Sequence, residues 1–300
     1  MAANPLPGAT HPFTGTFAAW LERRTLSNPG TGYRHHHYRE REGGWEATSE
    51  SICGYFRAAH DDAIRRIDRL VGPSLHPAGA ASPNAHRYPC TLPLVALQGY
   101  FGEVLAGMFA EHGSPSGHND WEIPAFLFRT HLVAFQQLEA QAQNGAMAAA
   151  IPGRTGDDCL AFRRGGDGEI VAVLFCEAKC TTDHDSDLIT DAHNKAAVSA
   201  IVDILQLIEI LLSRGTPEAD AWVDALRLLR SQLNEAPATV TRHDAVVYVH
   251  QRAPIQNPTW IPPNQPHAKY TARRPLDAFE IRIPDVAARV RAVYAVEVWQ

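Results

Sequence analysis

Apolar positions along the chain fall into two periods. From Ser51 to Val71 they recur at helical spacing (Ile52, Phe56, Ile64, Ile67, Leu70), with Ser49 or Ser51 placed to cap the first turn. Leu94 to His112 repeats the pattern through Leu97, Phe101, Leu105 and Phe109. Further helices are expected over His131 to Ala150, where Gly145 weakens the end, and over Leu188 to Leu212. Two more are expected from Glu218 to Asn234, just after Pro217, and from Val286 to Trp299. Short β-type runs mark strands at Ile123 to Phe128, Asp158 to Arg164, Glu169 to Lys179, His243 to His250 and Asp277 to Ile283. Prolines and glycines make loops of Gly72 to Pro93 and Asn257 to Pro266. Residues 1–48, rich in Pro, Gly, His and Arg, are expected to be irregular. The order is helices, a central sheet, helices, strand, strand, helix. That predicts a mixed α/β (α+β) fold, with a partly helical extension over 1–90 and the main domain over 91–300.

Composition narrows the class. The chain has 300 residues and a formal net charge of -6. Tight, non-specific nucleic-acid binders are usually basic, so any polyanion contact here calls for a local basic groove, a bound cation or a partner. The start MAANPLPGATHPF lacks a basic and apolar leader, and the most apolar run, Ala200 to Leu212, is broken by Asp203 and Glu209. The five scattered cysteines form no CxxC pair, which points to a reducing cytoplasm and away from structural zinc.

The chemistry sits in GDDCLAFRRGGDGEIVAVLFCEAKC, residues 156–180. Side chains alternate along a strand, so Glu177 and Lys179 share one face and Cys176, Ala178 and Cys180 the other, small enough to pack on a helix. A carboxylate and an ammonium on an otherwise apolar strand are costly to bury without partners. The GGDG segment reads as a hairpin turn. A two- or four-residue connection places Asp158 opposite Glu177 on the same face; a three-residue loop shifts the register by one and brings in Asp157 instead. Two carboxylates and a lysine converging at a strand end suit phosphodiester hydrolysis. The carboxylates would hold Mg²⁺ or Mn²⁺, with the Ala178 carbonyl as a further ligand, and the lysine would orient water or neutralise charge.

Gly156-Asp157-Asp158 followed by Glu177-Ala178-Lys179 resembles the PD-(D/E)XK nuclease superfamily, although Gly-Asp-Asp stands where the superfamily name has Pro-Asp. The likeness spans roughly Leu94 to Leu212. It implies a restriction-endonuclease-like sheet flanked by helices, Asp158 and Glu177 as metal ligands and Lys179 as the catalytic lysine. It further implies that Glu103, in Gly99-Tyr-Phe-Gly-Glu103, completes the metal site from an earlier helix. The Gly-Glu helix and the segment from Leu276 to Asp285 also resemble the nuclease subunit of Hachiman-type anti-phage systems. That implies a DNA substrate, a helicase or ATPase partner and gated activity. The rival readings are a non-catalytic regulatory or nucleic-acid-binding subunit on the same fold, and a metal-dependent RNase.

Other charged groups are read more plainly. His35, His36 and His37 are expected in a solvated basic loop, and Arg65, Arg66 and Arg69 on a solvated helix face. Asp183, Asp185 and Asp187 lack the glycine and glutamate of a calcium loop and are expected to cap the next helix. Lys195 and Gln206 are expected at the surface of that helix.

Overall fold

The computed structural model describes residues 13–30, 32–71, 88–90, 92–128, 158–198, 204–232 and 240–299. In chain order the elements are α1 (Phe13–Trp20), β1 (Leu21–Ser27), β2 (Tyr33–Glu40), α2 (Gly44–Val71) and α3 (Leu94–His112). There follow β3 (Cys159–Arg164), β4 (Ile170–Cys180), α4 (Ser186–Val198), α5 (Ile204–Leu212) and α6 (Pro217–Gln232). The chain ends with β5 (Thr241–His250), β6 (Leu276–Arg282), α7 (Val286–Val293) and α8 (Val296–Trp299). The expected helix over His131 to Ala150 and the residue Asp157 lie outside the described residues.

The strands form one mixed sheet in the order β1-β2-β6-β5-β4-β3. Its centre, β2-β6-β5-β4, is parallel, and β1 and β3 pair antiparallel at the two edges. Parallel strands covered on both faces read as continuous apolar runs, and β4 does so up to Cys176. One face packs on α3 through Ala172, Leu174, Cys176 and Ala178 of β4, Val247 of β5 and Phe279 of β6. The other divides in two. Phe162, Val173 and Phe175 meet α5 and α6, while Val246, Tyr248 and Ala278 meet Ile189, Ala192 and Ala196 of α4. The result is a three-layer α/β/α arrangement.

Several expectations change. Residues 13–40 are not an irregular extension: they supply α1, β1 and β2, and β2 lies inside the sheet beside β6. The histidine triplet is therefore not a solvated loop. His35 and His36 are buried on a central strand, where His36 contacts Asp277 at 2.7 Å and stacks on Phe279. Their partners lie more than two hundred residues away, so no local pattern announces the burial. Ile123 to Phe128 is not a strand. Only Glu122 bridges to Phe162, extending the β3 edge by a single pair. The expected long helix from Leu188 is described over α4 and α5, residues 199–203 lying outside the described residues, and the last helix breaks at Tyr294. On α2, Arg65 faces Asp61 and Asp62, and Arg66 reaches toward Glu209.

Candidate metal-assisted hydrolytic site

The β3–β4 hairpin decides which aspartate meets Glu177. Its connection is a three-residue loop: the Gly165 N–H donates to the Glu169 carbonyl (2.8 Å), with Gly166, Asp167 and Gly168 between. Gly168 takes φ +83°, the left-handed turn position that glycine adopts without steric cost. On loop length alone this would have exchanged the aspartates. A β-bulge cancels the exchange. Arg164 pairs with Ile170 but Arg163 pairs with Ala172, so Val171 is an extra residue on β4. The register then runs to Cys159 opposite Cys176, and Asp158 follows with its N–H on the Cys176 carbonyl at 3.1 Å.

Strand β4 runs four residues beyond Cys176, its last partner on β3. There the Asp158 carboxylate replaces the missing ladder acceptor and receives the Ala178 N–H at 2.8 Å. A strand residue directs its N–H and C=O to the same side, so the Ala178 carbonyl also points past the end of β3. Gly102 of α3 permits close packing behind this segment. A Cβ there would lie 3.1 Å from the Cys180 Cβ and 3.7 Å from the Ala178 Cβ. The small residues of β4 thus face α3, and Glu177 and Lys179 face α4.

Glu177 is 3% exposed, and its carboxyl is pushed up to about 7. Burial is the main cause and the facing Asp158 charge the second, against which Lys179 and Lys195 pull down. The Lys179 Nζ lies 2.7 Å from Glu177 Oε1 and 2.9 Å from Asp191 Oδ2. Burial disfavours the Lys179 charge, but those two carboxylates outweigh it and hold the ammonium above the usual lysine range. Lys195 closes the group, 3.4 Å from Glu177 Oε1 and 3.3 Å from Asp191 Oδ2.

The structure therefore brings together Asp158, Glu177, Ala178 and Lys179. It adds Asp191, which the motif does not contain, and Lys195, expected only at the surface. Their signal in the sequence is the i, i+4 spacing on the helix after β4. Glu103 is buried (2% exposed) on α3. Among the described residues no group of three or more His, Cys, Asp or Glu side chains is gathered to hold a metal ion. The remaining donor set still fits one ion type. Mg²⁺ is commonly bound through one or two carboxylates with water and substrate phosphate filling the other positions, and Asp158, Glu177 and the Ala178 carbonyl offer hard oxygens of that kind.

The acidic loop before α4 caps it, Asp185 Oδ1 accepting the Asp187 N–H at 2.8 Å. The Tyr248 hydroxyl holds the same loop through Asp185 N (3.1 Å) and His184 Nδ1 (3.1 Å). Among the described residues, no helix is long and apolar enough to cross a membrane. No protein-family model matches the chain, and no curated protein matches it significantly.

Proposed function

We propose that the protein is a metal-dependent nuclease that hydrolyses phosphodiester bonds of DNA with Asp158, Glu177 and Lys179. The observation that carries this reading is the juxtaposition at one strand end: the Asp158 carboxylate on the Ala178 N–H, close enough for its charge to raise Glu177, with the Lys179 ammonium 2.7 Å from the Glu177 carboxylate. Two carboxylates forced together under burial form an anionic pocket that a divalent cation relieves. Mg²⁺ or Mn²⁺ bound there supplies Lewis-acid stabilisation of the phosphate and acidifies its bound water. Asp158 and Glu177 would ligate the ion, Asp158 being fixed by the Ala178 N–H. Lys179, charged and held at the pocket wall, orients the attacking water and neutralises the phosphate oxygens as charge develops. The anti-phage setting and a helicase or ATPase partner are proposed on the motif resemblance, and the net charge of -6 favours a partner that supplies positive field.

The test is cleavage of plasmid, single-stranded DNA and RNA with Mg²⁺, Mn²⁺ or EDTA, beside Lys179→Ala and Glu177→Gln. Metal-dependent cutting of DNA that both folded variants lack is the expected result. Cutting that survives in both variants rejects the site, and preferential cutting of RNA reassigns the substrate. No cutting, with Lys179→Ala unfolding, returns the group to a structural ion network.

A further inference from the structure

Lys179, Glu177, Lys195 and Asp191 form a closed square of alternating charge, with all four N–O separations between 2.7 and 3.4 Å. Its two anions are not equivalent. The Glu177 side chain is 3% exposed and rises from the sheet, whereas the Asp191 side chain is 46% exposed and stands on α4 at the solvent side. Both lysines converge on a single oxygen of Asp191, Oδ2, at 2.9 and 3.3 Å. Half-exposed ion pairs contribute little net stability, because water and mobile counter-ions replace them at low cost. A phosphodiester carries one negative charge on two terminal oxygens, the same charge and nearly the same fork as a carboxylate.

We propose that Lys179 and Lys195 form an anion subsite for a nucleic-acid phosphate, and that Asp191 is a displaceable stand-in occupying it until the phosphate arrives. This rests on the nuclease reading for the identity of the anion, but the subsite needs no metal. Its geometry explains why a helix facing an acidic strand end should carry both an aspartate and a lysine toward it. Lys195 offsets the local negative charge, and Asp191 keeps both lysines ordered while no substrate is bound. Entry of a phosphate exchanges one anion for another without leaving either lysine unpaired. The opposing role, Asp191 as a positioning residue that must stay on Lys179, predicts effects of the opposite sign.

The experiment measures binding of a short fluorescein-labelled single-stranded DNA in EDTA by anisotropy, across a salt series. Asp191→Asn is compared with wild type, Lys195→Ala and the double variant, each checked by thermal melting. Asp191→Asn is expected to tighten binding about three- to tenfold at low salt, because it removes a competing charge from the subsite. Lys195→Ala is expected to weaken binding and to lower the slope of log affinity against log salt by about 0.7, one phosphate contact on a single strand. The double variant should lose the gain. Unchanged or weaker binding by folded Asp191→Asn overturns the proposal, as does no detectable binding by wild type and Asp191→Asn at low salt. Cleavage in Mg²⁺ is scored separately. Cutting without the Asp191→Asn gain sinks the stand-in alone, and the gain without cutting sinks the nuclease reading while the anion subsite stands.

Discussion

Glu177 and Glu280 lie on the same face of the sheet, two strands apart, joined through the row Lys179–Tyr248–Glu280. Both are nearly fully buried, at 3% and 0% exposure. Their carboxyls nevertheless move in opposite directions, Glu177 up to about 7 and Glu280 down to about 2. Burial pushes both upward. At Glu280 it is outweighed by His250 and His35, 3.3 and 3.5 Å away, and by rigid backbone donors: the Ile261 N–H at 2.8 Å and the Trp260 N–H at 2.9 Å. That glutamate clamps the 251–275 connection onto the sheet. Among the described residues the donors facing Glu177 are the flexible lysines Lys179 and Lys195, and a second carboxylate lies close by. Equal burial thus serves two ends. A carboxylate surrounded by fixed donors is structural; one left short of them is where the proposed nuclease reading would put a cation.

Substitutions should separate the two. The largest effect expected is on catalysis: Lys179→Ala lowers metal-dependent cleavage at least about 100-fold, while chemical denaturation leaves the folded state intact. A parallel loss of fold would erase the contrast. Next is Glu280→Ala, which strands two buried histidines and two backbone donors and should cost about 3–5 kcal/mol at neutral pH. Glu280 has a depressed folded pKa, so its stabilisation is complete above the unfolded value near 4.5 and is lost as pH falls through about 2. The gap between wild type and Glu280→Gln in urea melts should therefore narrow in acid; a gap that does not change with pH contradicts the clamp.

Glu177→Gln should run the other way. A carboxyl whose folded pKa is raised takes up a proton on folding between the two values, so its cost to stability grows as pH rises from about 4.5 and is complete above about 7. The glutamine variant should be more stable than wild type at pH 8 by on the order of 1–3 kcal/mol, with the gain fading as pH falls from about 7 and gone below about 4.5, while cleavage is abolished. Destabilisation at pH 8 would place Glu177 with Glu280 as a structural group. An effect of similar size, without any change at the site, is expected at Gly102→Val, which presses branched carbons against Cys180 and Ala178 behind the site and should cost about 1–3 kcal/mol by thermal melting. Its Kd for DNA in EDTA should barely change, since the anion-facing side chains stand on the other face.

Local pattern was enough for much of the molecule. The helix over Leu94 to His112 has the bounds its periodicity predicts, and the β3–β4 hairpin and the strands ending at His250 and Arg282 lie where alternation and turn residues put them. Glu177 and Lys179 were legible as one pair because strand alternation is a short-range rule. What stayed hidden depends on residues far apart in the chain. β2 reads as a charged loop because the groups that neutralise it, Asp277 and Glu280, lie on β6. Asp191 and Lys195 look like surface residues until α4 is laid across β4. The choice of Asp158 required the bulge at Val171, which sheet packing sets and turn composition does not announce. Periodicity records which face of an element is apolar. It carries no record of which distant charge will meet that face, because that energy exists only once the layers are assembled.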